Sequence, residues 1–133
     1  IQEEACQITK ELLLKENLLS RVRLFCDNHQ HLQEYITEPL KAAVFNLGYL
    51  PGSDEKIITK SDSTYQAVLS SLELLAAGGI VLIAAYPGHA GGEDEYLRLC
   101  QLLASIDGKV YQTASLKILN RKNAPVLLMI NKL

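Results

Sequence analysis

Cysteine is scarce in this chain: Cys6, Cys26 and Cys100 are the only three in 133 residues. An odd number, widely spaced, excludes the paired framework of a small secreted disulfide protein and points to a reducing cytoplasm. Long apolar runs are also lacking. The longest, Gly78 to Tyr86, falls far short of the roughly 20 residues a bilayer-spanning helix needs, so no membrane partner is expected. Positive charge is not in excess. The formal net charge is −2, so no global basic field attracts DNA or RNA, and RNA binding would rest on local patches. Lys10, Lys15, Arg21, Arg23, Lys117, Arg121 and Lys122 are the candidates for such patches. No Gly-Lys-Ser/Thr follows a glycine-rich stretch, which excludes a P-loop. No G-x-S-x-G is present, which argues against an ordinary α/β hydrolase. The chain opens on Ile1 and runs straight into a helical pattern, so a first strand is expected to be missing from it.

What is present is an ordinary globular composition, 48% hydrophobic and 21% charged, in a length suited to one domain. Ala5, Ile8, Leu12 and Leu13 recur at helical spacing and predict an amphipathic helix over 2–16. "RVRLFC" at 21–26 reads as a short strand, and Leu32, Tyr35 and Ile36 as a short helix ending near Pro39. "KAAVFNL" at 41–47 is the next strand, followed by a Gly, Pro, Ser and Asp-rich loop over 48–61. Asp62 or Ser63 can cap a helix running to Ala77, with Gly78 as its stop. "IVLIAAY" at 80–86 is apolar at nearly every position, the mark of a central strand covered on both faces. A helix over 93–105 follows, burying Tyr96, Leu99 and Leu103. Two strands, 109–119 and 125–133, close the chain across a loop too short for a crossover, so they should be antiparallel. The alternation predicts an α/β, mostly parallel, Rossmann-like sheet with a C-terminal antiparallel hairpin.

Ligands of open α/β sheets bind beyond the carboxyl ends of the strands. Three such ends are polar here: "CDNH", "NLGYLP" and "YPGHAGG". Asp27 and Asn28 follow a strand directly and serve either as a turn and helix cap or as acceptors for a nucleobase amino group or ribose hydroxyl. Cys26, His29, His31 and His89 do not follow a standard ligand spacing, so no metal is expected. Asn46 ends a strand and Tyr49 follows in the turn. An amide oxygen there can accept a hydrogen bond from a substrate amine and leave the amine lone pair free to attack. The aromatic ring offers a flat face for a base or an edge for a cation. Gly48 lets backbone approach a ligand closely. "YPGHAGGEDE" suits an anion-binding nest, with His89 as a base, a substrate contact or simply a solvent-exposed loop residue, and Glu93, Asp94 and Glu95 as a favourably charged first helical turn.

"DNH" after one strand, "FNLGYLPG" after the next, Thr64 opening a helix, "YPGHAGGEDE" after the third strand and "NAPVLLMINK" near the end together resemble a family of small bacterial S-adenosylmethionine-dependent methyltransferases. These are the MnmM/YtqB-like enzymes, long labelled rRNA methylases. The resemblance spans essentially the whole chain. It implies the class I methyltransferase fold without its first βαβ unit, which in the family carries the main cofactor loop. It implies S-adenosylmethionine as cofactor, with contacts at Gln2, Asp27, Asn28, His29, Asn46, Leu47 and Gly48. Asn28 and His29 would lie against the adenosine. Asn46 to Tyr49 resembles the Asn-Pro-Pro-Tyr element of amino-group methyltransferases, with Asn46 orienting the amine and Tyr49 bounding the pocket. Tyr86, His89, Gly91 and Gly92 would receive the nucleotide. The implied substrate is tRNA, at the aminomethyl group of 5-aminomethyl-2-thiouridine in the wobble position, with no DNA partner. Leu47 and Gly48 depart from the two prolines of the element. Three other readings stand beside this one: the same chemistry on rRNA, the same chemistry on a small-molecule amine, or a non-catalytic nucleotide-binding or homodimerisation domain.

Overall fold

The apolar run at 80–86 becomes the strand around which the sheet is arranged. The computed structural model describes residues 3–47, 61–88 and 91–133. Helix α1 (Glu3–Lys15) is followed by a 3-10 turn at Leu19–Arg21 and a second at His29–His31, which leads into the short α2 (Leu32–Tyr35). Strand β1 (Leu40–Asn46), helix α3 (Ser61–Leu74), strand β2 (Leu75–Ala85), helix α4 (Gly92–Ser105) and strands β3 (Tyr111–Lys117) and β4 (Val126–Lys132) complete the order. The sheet runs β1-β2-β4-β3. β1 and β2 are parallel, as a helical crossover requires, and β4 is antiparallel to both β2 and β3. Two of the three expected parallel strands and the closing antiparallel pair are therefore present, with the last strand inserted beside β2, so that among the described strands one pairing is parallel and two are antiparallel.

Alternation along the strands decides where the core lies. Val81, Ile83 and Ala85 of β2 and Val126, Leu128 and Ile130 of β4 point to one face and are buried. Val68 and Leu72 of α3 and Leu99, Leu102 and Leu103 of α4 pack against them. Each such aliphatic side chain contributes about 1.5–3 kcal/mol on full burial. The other face of β2 is only partly covered among the described residues, whereas the uniform apolarity of "IVLIAAY" predicts two covered faces.

Two elements differ from the sequence reading. "RVRLFC" forms no strand. Val22 is extended (φ −130°, ψ 135°), but a strand is a pairing relation, and this segment has no ladder partner among the described residues. Side chains hold it instead: Phe25 stacks on Tyr35 at 4.3 Å and Arg23 Nη2 donates to the Tyr35 carbonyl at 2.6 Å. Helix α3 ends at Leu74 rather than Ala77. The register of β1 on β2 jumps between the pairs Leu40–Leu75 and Ala42–Ile80, and Gly78 sits inside that irregularity at φ +73°. The periodicity of α1 is real, yet none of its residues is buried among the described ones, and Ile8, Leu12 and Leu14 are more than half exposed. No helix among the described residues is long and apolar enough to cross a membrane.

Candidate functional site

Parallel pairing places the carboxyl ends of β1 and β2 side by side, with Asn46 abreast of Ala84. Tyr86 follows two residues later, and its hydroxyl donates to Asn46 Oδ1 at 2.9 Å. Leu47 extends the ladder by one bond, its N–H donating to the Ala84 carbonyl at 3.0 Å. Its side chain is 4% exposed and belongs to the core, so any ligand contact by Leu47 would come from its backbone.

Beyond the segment 22–26, Asp27 organises a tight loop. Its Oδ1 accepts from the Asn28 N–H at 2.6 Å, and its Oδ2 accepts from the Tyr35 hydroxyl at 2.5 Å. His31 Nδ1 lies 3.1 Å from Oδ2. The Tyr35 hydroxyl, the Asn28 amide and His31 together pull the Asp27 carboxyl down to about 2. Of the two roles open to Asp27, the turn is the one its geometry displays, because both oxygens already have donors. Asn28 caps the following 3-10 turn through its side chain, accepting from the Gln30 N–H at 3.1 Å. His29 lies edge-on to Phe45. Burial pushes its imidazole below its usual value, and its Nε2 is buried without a hydrogen-bond partner among the described residues. The ring lines a cleft of ≈ 370 Å³ with Leu32, Leu40, Phe45, Asn46 and Ser71.

Glycines shape the other strand end. Gly91 adopts φ +76° at the N-terminal boundary of α4. A Cβ on Gly92 would lie 2.1 Å from the Tyr86 carbonyl oxygen, so α4 abuts the chain where it leaves β2. Both glycines thus have backbone reasons to be glycine, besides the nucleotide contact the resemblance implies. Gln2, Gly48, Tyr49 and His89 lie outside the described residues.

One pair escaped the sequence reading. Thr64 in the first turn of α3 is fully buried, and its hydroxyl donates at 2.7 Å to Oε1 of Glu95, in the first turn of α4. Glu95 shares a helical face with buried Leu99 and Leu102, and that spacing was the available signal: a charge on an apolar stripe must find a partner. The neighbouring Arg98–Asp62 ion pair at 2.8 Å is exposed and contributes little. The two helices that follow the two candidate loops are thus joined at their first turns. Burial raises the Glu95 carboxyl above its ordinary value of 4.5, against the Thr64 hydrogen bond, which lowers it. A raised carboxyl keeps a proton in the folded chain that the unfolded chain has released. Its contribution is therefore complete below the ordinary value and lost as pH climbs through the raised one. In urea melts between pH 4 and 7, Glu95→Gln should lose this downward slope while keeping an acceptor for Thr64. Thr64→Val should cost about 1–3 kcal/mol by stranding the buried carboxyl. A Glu95→Gln slope equal to that of the parent would assign the pH dependence elsewhere.

The family described as "Putative rRNA methylase" matches residues 1–132. A protein of Arabidopsis thaliana, tRNA (mnm(5)s(2)U34)-methyltransferase, chloroplastic, is 32% identical over 137 residues, which cover 99% of this chain and 50% of that protein. The chain thus spans about half the length of that curated relative. A crystal structure of a "putative rRNA-methylase" from Clostridium thermocellum has a TM-score of 0.95 at 37% identity, over 100% of this chain and 72% of the other. A "putative methyltransferase" from Streptococcus mutans in complex with SAH has a TM-score of 0.91 at 35% identity, over 100% of this chain and 73% of the other.

Proposed function

This chain belongs to the rRNA methylase family, and from that premise we propose that it takes part in S-adenosylmethionine-dependent methylation of an RNA amine. The acceptor we assign is the aminomethyl group of 5-aminomethyl-2-thiouridine at the tRNA wobble position, in keeping with the name of the Arabidopsis relative. Asn46 carries the reading: a carboxamide oxygen held at the tip of β1, beside the end of β2.

The described residues fit the nucleoside end of the cofactor. The cleft beside β1 has apolar walls, and the buried Nε2 of His29 needs one hydrogen-bond partner, which a ribose hydroxyl or base amino group supplies. The lowered imidazole is neutral at pH 7, so it can pair with either without burying a charge. Asp27 supports this wall from behind by fixing the loop that presents Asn28 and His29. Bound cofactor supplies an electrophilic methyl group. The chain's own part is to hold the acceptor: Asn46 Oδ1 accepts an N–H of the neutral amine and so directs the nitrogen lone pair away from the strand tip. Positioning of this kind removes much of the barrier to a displacement between two bound partners. On the same reading Tyr49 would bound the pocket and His89 would meet the nucleotide. The cytoplasm is the compartment we assign, whereas the Arabidopsis relative is chloroplastic.

The net charge of −2 favours a smaller amine over RNA, so the test has separate arms. Full-length protein and labelled cofactor are incubated with tRNA lacking the wobble methyl, with rRNA and with small primary amines. Label on the wobble nucleotide is the expected result. Label only on rRNA or on the small amines would overturn the tRNA assignment. Calorimetry should show micromolar cofactor binding, roughly −8 kcal/mol.

A further inference from the structure

We infer that Tyr86 is a positioning residue for Asn46 and does not itself read the nucleotide. The inference rests on the amine-methylation reading above. A carboxamide at an exposed strand end can turn over, exchanging its oxygen and nitrogen. Only the oxygen-forward state accepts from an amine; the other presents an NH2 group that donates to the amine's lone pair and so occupies the electrons needed for attack. In the structure the Tyr86 hydroxyl donates to Asn46 Oδ1 at 2.9 Å. A phenol is a better donor than acceptor, so this bond selects one orientation. A carbonyl oxygen has two lone pairs, so one remains for the substrate N–H after Tyr86 has taken the other.

The tyrosine is well placed to impose this choice, because its own backbone is fixed. Its carbonyl lies against Gly92, so close that any side chain there would collide with it. Ala84, two residues earlier, is locked in register with Asn46 and accepts from the Leu47 N–H. The phenol therefore starts from a backbone held on one side by α4 and on the other by β1. It reaches across the strand tips to a residue 40 positions away in sequence.

The test is a double-mutant cycle on the full-length protein, read as single-turnover methyl transfer. Tyr86→Phe keeps the ring and removes the hydroxyl. Its rate constant should fall about ten-fold, the size of one neutral hydrogen bond, with KM for the RNA and affinity for SAH unchanged. Added to Asn46→Ala, the same substitution should have no further effect, because the group it orients is gone. A wild-type rate for Tyr86→Phe overturns the inference. So does an equal loss with and without Asn46, or a rise in KM with the rate constant unchanged, which would return Tyr86 to direct nucleotide contact. If the unmutated protein methylates no amine, the proposed function falls and takes this inference with it. If it does and Tyr86→Phe is silent, only the inference falls.

Discussion

Asn46→Ala should slow methyl transfer to tRNA by about 10²–10³, or roughly 3–4 kcal/mol, the usual loss for one preorganised polar contact to a reacting group. On the proposed reading the amide oxygen acts on the acceptor amine, so the effect belongs to turnover. Affinity for SAH should fall much less, because the candidate nucleoside contacts lie on the loop of Asn28 and His29. Stability should change little, since Asn46 is exposed at the carboxyl end of β1. The check is a paired measurement on the full-length protein, rate of transfer and affinity for SAH. A wild-type rate would reduce the asparagine to a strand terminator. An equal fall in affinity would place it against the cofactor alone.

Gly92→Ala should act through the backbone. The added methyl group would stand 2.1 Å from the Tyr86 carbonyl oxygen and 3.1 Å from its carbon. Neither atom is the far end of a flexible side chain, so either α4 withdraws or the chain leaving β2 bends. Overpacking against rigid neighbours costs typically 1–3 kcal/mol, and backbone on both sides argues for about 3 kcal/mol here. Either movement also carries the phenol away from Asn46, so activity should fall beyond the loss of folded protein. Gly91→Ala is the useful comparison. A Cβ there meets nothing within 4 Å, and the strain comes only from φ +76°. Chemical denaturation and turnover of the two variants separate the effects: collision for Gly92, backbone conformation for Gly91. Gly92→Ala with parental stability and turnover would show that the contact relaxes freely.

The elements that the sequence disclosed were those whose signal is local. The unbroken apolar run of β2 and the spacing of Tyr96, Leu99 and Leu103 on α4 each follow from one residue's relation to its near neighbours. So does the short turn joining β3 to β4. The error at "RVRLFC" has the opposite cause. Valine, leucine and phenylalanine favour extended backbone, but a ladder needs a second chain segment, and that is not written in six residues. The position of β4 between β2 and β3 was open to a closer reading. "PVLLMIN" is nearly all apolar, whereas "YQTASLK" mixes three apolar with four polar residues, as suits a strand with two neighbours and a strand with one among the described strands. At the site, strand-end logic placed Asn46 and Tyr86 at neighbouring strand tips, whereas Asn28 and His29 follow a segment that forms no strand among the described residues. That logic could not show that Asp27 is consumed by Tyr35 and His31, or that Tyr86 bonds to Asn46. Those facts depend on side chains brought together by loops whose paths no periodicity encodes.

The order β1-β2-β4-β3 also has a consequence in time. A ribosome releases β3 before β4, yet among the described strands β3 hydrogen-bonds only to β4. The earlier strand must therefore wait, solvated and unpaired, until the later one has emerged and settled against β2. Among the described strands, β3 and β4 then join the sheet together rather than by stepwise accretion, with the later-made of the two entering the place between β2 and β3. Shortening the nascent chain by those few residues would undo two ladders at once, and the half-made sheet would present the bare flank of β2 to any chaperone, or any other nascent chain, within reach.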